Sequence, residues 1–162
     1  MTSPVAWLNE REERAWRAYT RLRAQLSAQI SRDLARRSGM SESEYAVLVH
    51  LSESPDQRLR SFELCDELQW ERSRLSHQLT RMERRGYITR QECPSDARGS
   101  FVVLTDEGRA AIEAAAPGHV ADVRQHFIDA LTDDQLDALA EIAETVIDRL
   151  SSDDTESRRQ PA

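Results

Sequence analysis

Between Trp70 and Gly108 the chain passes from a helical period to a strand period and back, and turn residues mark each change. The run Arg72-Ser73-Arg74-Leu75-Ser76-His77-Gln78-Leu79-Thr80-Arg81-Met82-Glu83-Arg84-Arg85 is amphipathic and stops at Gly86. At about 100° per residue, Leu75, Leu79 and Met82 share one face. Ser73, Arg74, His77, Thr80, Arg81 and Arg84 fall on the other. Gly86 suits a left-handed helix cap. Residues 87–93 and 100–104 are strand candidates around the turn-rich Ser95-Asp96-Ala97-Arg98-Gly99. Thr105 then caps a new helix. A helix apolar on one side and cationic on the other, followed by a hairpin, is the order of a DNA-reading helix and a β-hairpin wing.

The residue types fit that use. Arginine can donate two hydrogen bonds to guanine, glutamine can pair with adenine, and serine contacts several groups. Ser73, Arg74, His77 and Arg81 are therefore candidate base or phosphate contacts, with Arg72, Ser76 and Gln78 at the flanks. Arg98, between the strands, is placed to enter a minor groove, where the potential is most negative. Arg90 and Asp96 complete the set of DNA-contact candidates; an acid beside phosphate is unfavourable, so Asp96 is expected to orient Arg98 or Arg90 by ion pairing.

Net charge at first opposes this reading, since the chain carries a formal −7. The local distribution does not. Residues 72–98 hold seven arginines (72, 74, 81, 84, 85, 90 and 98) against acids at 83, 92 and 96 only. Residues 120–157 hold eleven acids against two arginines. A phosphate-binding face needs only local positive charge. The acidic second half keeps alive a rival reading, a dimerisation or protein-interaction module without DNA binding. No stretch approaches the roughly 20 apolar residues of a membrane span, and no signal peptide is evident, so a cytoplasmic protein is expected. Cys65 and Cys93 make no disulfide framework; Cys93, near the wing, is a candidate oxidant sensor. His119 and His126 lack a third ligand, so neither a metal nor another cofactor is expected. Ser73 and His77 lie one helical turn apart, but without an orienting acid or an oxyanion motif they do not suggest an enzyme.

The rest of the chain is helical in pattern. Asn9 with Glu12 opens a long helix whose stripe runs through Trp16, Tyr19, Leu22, Leu26, Ile30 and Leu34 and ends at Ser38-Gly39. That stripe exceeds the needs of a small lobe, so a partner helix is expected. Ser41 with Glu44 opens a second helix, and Ser61 is expected to cap a third. Pro117 should kink or interrupt the fifth. Thr132 with Gln135 opens a sixth carrying Leu136, Leu139, Ala143, Ile147 and Leu150. The expected organisation is an N-terminal dimerisation helix (1–39), a winged helix-turn-helix lobe (40–105), C-terminal dimerisation helices (106–150) and a disordered tail (151–162). The fold class is mainly α with a small β-hairpin wing.

Taken together, Arg85-Gly86-Tyr87-Ile88-Thr89-Arg90, Asp96-Ala97-Arg98 and Leu104-Thr105-Asp106-Glu107-Gly108 resemble the winged helix-turn-helix of the MarR family of bacterial transcription regulators. The resemblance covers nearly the whole chain. It implies a homodimer whose long helices pair at an apex and whose two lobes read a pseudo-palindromic operator in double-stranded DNA. It further implies repression of nearby genes, and release from DNA by a small aromatic or phenolic effector. That ligand would lie between the dimer helices and the lobe, where Trp16, Tyr19, Tyr45 and His50 are the candidate contacts. Read from the residues alone, Trp16, Tyr19 and Tyr45 favour core or interface aromatics over ligand contacts, and His50 a hydrogen-bonded structural histidine.

Overall fold

A computed structural model describes residues 5–92 and 100–157. The elements are α1 (Glu10–Ser38), α2 (Glu42–Glu53), β1 (Arg58–Arg60), α3 (Ser61–Leu68), α4 (Arg72–Arg84), β2 (Ile88–Glu92), β3 (Ser100–Leu104), α5 (Asp106–His126), a 3-10 turn (Ile128–Ala130) and α6 (Asp133–Ser157). Contacts divide the chain into two compact units, residues 1–122 and 123–162.

Within the first unit, local chemistry sets the helix ends. Asn9 Oδ1 accepts from the Glu12 amide while Glu12 returns the bond to the Asn9 amide. Ser41 and Glu44 make the same reciprocal pair. These boxes satisfy amides that have no partner inside the helix. Gly39 and Gly86 take positive φ, 64° and 78°. At Gly86 the Tyr87 amide reaches back to the Met82 carbonyl at 3.0 Å, which closes α4.

The core joins the end of α1 to the lobe. Leu34, Met40, Val47, Leu48, Leu51, Leu64, Leu75, Leu79, Met82, Ile88, Val102, Leu104 and Ile112 are buried together. Ile30 and Leu34 bury the last turns of α1, Ser31 and Ser27 bond Glu42, and Arg37 makes a two-pronged bond to Asp122. The first half of α1 stays outside this core: Trp16 is 58% exposed and Tyr19 52%.

The sheet has the order β1-β3-β2, all antiparallel. Ile88 faces Leu104 and Arg90 faces Val102, which sets the hairpin register. β1 is an addition to the expected pair of strands. It is three residues long, and Arg58 and Arg60 stack on Phe101 at 5.0 and 5.1 Å on the outward face. Leu59 meets the core on the other.

Three expectations are corrected. Ser61 does not cap α3; its hydroxyl bonds Ser100 across to β3, and Glu63 instead accepts the Arg60 amide at 2.9 Å. Pro117 does not interrupt α5, which runs through it to His126. A proline deprives the helix of one donor, and the buried Ile112, Ala115 and Asp122 on either side hold the helix in place. In the second unit, α6 continues beyond the expected end at residue 150 to Ser157. Its start keeps the reciprocal Thr132–Gln135 bonds.

Candidate nucleic-acid interface

The segment Leu68–Arg72 determines where α4 points. Gln69 closes α3 in the left-handed region, φ 52°, with its side-chain amide on the Asp66 carbonyl. Trp70 then donates its amide to Cys65 O at 3.0 Å. This turn launches α4, whose Leu75, Leu79 and Met82 sink into the core at 3% exposure or less. Arg72, Ser73, Arg74, Ser76, His77, Arg81 and Arg84 remain exposed along the opposite side. Burial of the apolar stripe thus fixes the cationic one outward.

Gln78 departs from the reading of the sequence. It is 2% exposed, and its Oε1 accepts from Arg81 Nη2. Its position, three residues after Leu75 and four before Met82, puts it on their face. Gln78 therefore holds Arg81 rather than lying at a flank of the outward surface, and its Nε2 has no hydrogen-bond partner among the described residues. A groove of about 560 Å³ runs here, lined by Ser43, Trp70, Arg74, His77, Gln78 and Arg81 among others. Arg74 stacks on Trp70, its guanidinium carbon 4.2 Å from the ring centroid.

Arg90 is also placed differently from a free wing cation. From β2 it reaches α4, donating to Thr80 Oγ1 at 2.6 Å and Ser76 O at 3.3 Å, with Glu83 Oε2 3.7 Å from Nε. It ties the hairpin to the flank of the cationic helix that carries Ser76, Thr80 and Glu83. A cleft of about 470 Å³ opens beside it, between Ser61, Cys65, Arg72, Ser76 and Ser100. Burial pushes the Cys65 thiol above its ordinary range, which disfavours the reactive thiolate. Asp96, Arg98 and Cys93 lie outside the described residues.

The other end of α4 is anchored by charge. Arg85 donates to Glu44 Oε1 at 2.8 Å and to Tyr87 Oη at 2.9 Å. Burial alone would raise the Glu44 carboxyl, but bonds from Ser41 and Arg85 outweigh it and hold it below its ordinary value. Behind the hairpin, Thr105 Oγ1 donates to Gly86 O at 2.6 Å and accepts from the Gly108 amide at 2.9 Å. Thr105 N adds a bond to Tyr87 O. The Leu-Thr-Asp-Glu-Gly motif thus clamps the start of α5 to the end of α4.

The four candidate ligand contacts meet three different sets of partners. Trp16 and Tyr19 lie against each other, centroids 5.8 Å apart. Tyr45 stacks on His119 at 4.3 Å. His50 Nδ1 pairs with Glu67 at 2.8 Å, the hydrogen-bonded structural role. The sequence reading left Trp70 out, put Thr80 on the outward face without a role, and weighed His119 only as a metal ligand. For Trp70 the available signal was its position four residues before Arg74, one helical turn away.

Comparison with known proteins agrees with this geometry. The MarR family model matches residues 38–99. AbsC, a MarR family transcriptional regulator from Streptomyces coelicolor, superposes with a TM-score of 0.86 at 38% identity, over 91% of this chain and 99% of that one. Sco3205, a MarR family regulator from the same organism solved in complex with DNA, also gives 0.86, at 41% identity over 98% of this chain and 94% of that one. The transcriptional repressor YetL of Bacillus subtilis is 26% identical over 113 residues, 70% of this chain and 67% of its own length. No helix among the described residues is long and apolar enough to cross a membrane. With a cationic helix facing outward beside a paired hairpin, and with this similarity over nearly its whole length, the chain is a member of the MarR family of DNA-binding transcriptional regulators.

Proposed function

We propose that the protein is a homodimeric repressor that reads a pseudo-palindromic operator and is released by a small aromatic ligand. The observation that carries the DNA-reading part is the outward face of α4. Ser73, Arg74, Ser76, His77 and Arg81 are the contacts we assign there, with Arg72 at its start. Arg98, with Asp96 orienting it, is assigned to the minor groove from its place in the sequence between β2 and β3. Arg90 braces the hairpin against the Ser76–Thr80 flank of α4.

Dimerisation is supported by two uncovered apolar stripes. On α1 and the segment before it, Trp7, Leu8, Trp16, Tyr19 and Leu22 are exposed; on α6, Ile142, Val146, Ile147 and Leu150 are. Spacings of three and four put Trp16, Tyr19 and Leu22 on one face of α1 and Ile142, Val146 and Leu150 on one face of α6, and such faces are normally covered. A second copy would cover them and would set two α4 helices about one DNA turn apart, roughly 34–36 Å. The 1–39, 40–105 and 106–150 division describes the functional parts under this reading. Ligand release then requires only that the ligand prefer a dimer state whose half-site spacing does not suit DNA.

The test is fluorescence anisotropy with DNA from upstream of the protein's own gene, across a salt series and against a scrambled duplex. Competitor-resistant binding with a steep salt slope is expected. Arg74→Ala should weaken operator binding by about 1–3 kcal/mol and relax base preference. Equal, weak binding to both duplexes, repeated with duplexes drawn from a random pool, would refute the reading.

A further inference from the structure

We propose that Trp70 is a specificity-determining positioning residue, whose ring holds the Arg74 guanidinium in the orientation that reads a base. The inference rests on the assignment of α4 as the DNA-reading helix.

Trp70 is fixed from both sides. The left-handed turn at Gln69 and the bond from its own amide to Cys65 O set its backbone. Its ring is half-buried and packs against the core. The remaining ring face is covered by Arg74, one helical turn further on, at 4.2 Å. No other arginine-on-ring contact among the described residues is as short; the next is Arg85 over Tyr87 at 4.7 Å.

The chemistry of the holder matters. A carboxylate would fix an arginine equally well, as Asp122 fixes Arg37, but it would cancel the charge that DNA attracts and occupy the N–H edges that read guanine. Among the described residues no carboxylate pairs with Arg74. An aromatic face attracts a guanidinium through its quadrupole and touches only the flat side. All five N–H donors lie in the guanidinium plane and stay available for a two-pronged contact. Arg81 is also held by a neutral group, the amide oxygen of the buried Gln78, which keeps its charge but uses one Nη2 donor. A long side chain ordered before it meets its target loses less freedom on binding. Trp70 should therefore strengthen the contact that discriminates between bases and leave non-specific attraction to phosphate unchanged.

The experiment uses the full chain and a duplex selected from a random pool by the parent protein, compared with a scrambled duplex of equal length. Trp70→Leu keeps apolar volume against the core and removes the ring; Trp70→Phe keeps a weaker ring. We expect Trp70→Leu to lose about three- to tenfold in affinity for the selected duplex, with little change on the scrambled one. Trp70→Phe should recover part of that loss. In an Arg74→Ala background, Trp70→Leu should cost nothing further, because the two act as one unit. The proposal is overturned by an unchanged affinity for the selected duplex, by an equal loss on both duplexes, or by an undiminished loss in the Arg74→Ala background. A parent that does not discriminate between the duplexes overturns the DNA-reading assignment itself, and the inference with it.

Discussion

Gly108→Ala separates two physical arguments by the sign of its effect. Gly108 is in the first turn of α5, and helix propensity alone says that alanine there should stabilise by about 1 kcal/mol. The tertiary structure says the opposite. A Cβ at residue 108 would lie 2.1 Å from the Tyr87 carbonyl oxygen and 2.9 Å from Leu104 Cδ1. The first is a backbone atom held by the Gly86 turn, so no side-chain rotation relieves the clash. Overpacking of this kind costs about 1–3 kcal/mol. Moving α5 away would also weaken the bonds from Thr105 to Tyr87 O and Gly86 O, each contributing about 1 kcal/mol. Set against the propensity gain, the net is a loss of about 2 kcal/mol.

Gly118 supplies the control. It is also on α5, and a Cβ there would meet only the flexible Arg37 Cδ at 3.4 Å. Gly118→Ala should therefore gain about 0.5–1 kcal/mol. Both variants would be followed by urea and thermal unfolding at one fixed protein concentration, because assembly makes apparent stability depend on concentration. Gly108→Ala should lower Tm by at least about 4 °C, while Gly118→Ala raises it slightly. A Gly108→Ala protein as stable as the parent, or more stable, would refute the close-packing argument.

Two further outcomes are expected. Burial holds His119 below its ordinary histidine range, against the opposing fields of Asp122 and Glu42. The unfolded chain then binds a proton that the folded one resists, so the parent should lose stability as pH falls below about 6.5. His119→Phe, which keeps a ring against Tyr45, should remove that part of the slope; parallel stability curves for parent and variant would count against it. Ile147→Glu places a charge in the exposed stripe of α6 and should reduce the sedimentation mass to that of one chain; an unchanged mass would remove this stripe from the dimer interface.

Much of this fold is written in short-range chemistry. The Asn9–Glu12, Ser41–Glu44 and Thr132–Gln135 boxes join residues three apart, and Gly39 and Gly86 act through their own φ. The period of Leu75, Leu79 and Met82 determines which side of α4 is buried before any other element is known. For that reason the cationic helix and the paired strands after it were legible in the sequence. Gln78 was legible too, since the same period carries it inward; its polar side chain drew the expectation toward the surface.

What tertiary structure decided depends on partners distant in sequence. Arg-Leu-Arg at 58–60 has no strand signal of its own and becomes β1 only because β3 offers an edge. Ser61 abandons its cap for Ser100, 39 residues away. Arg90 is tied to Thr80 because the hairpin register aims it at α4. Gly108 is required by the Tyr87 carbonyl, and Arg74 is steadied by a ring whose position depends on the turn at Gln69. Periodicity and capping are set within one or two helical turns, so the sequence alone determines them. Which neutral or charged group meets a given arginine depends on how whole elements pack, and only the folded chain decides that.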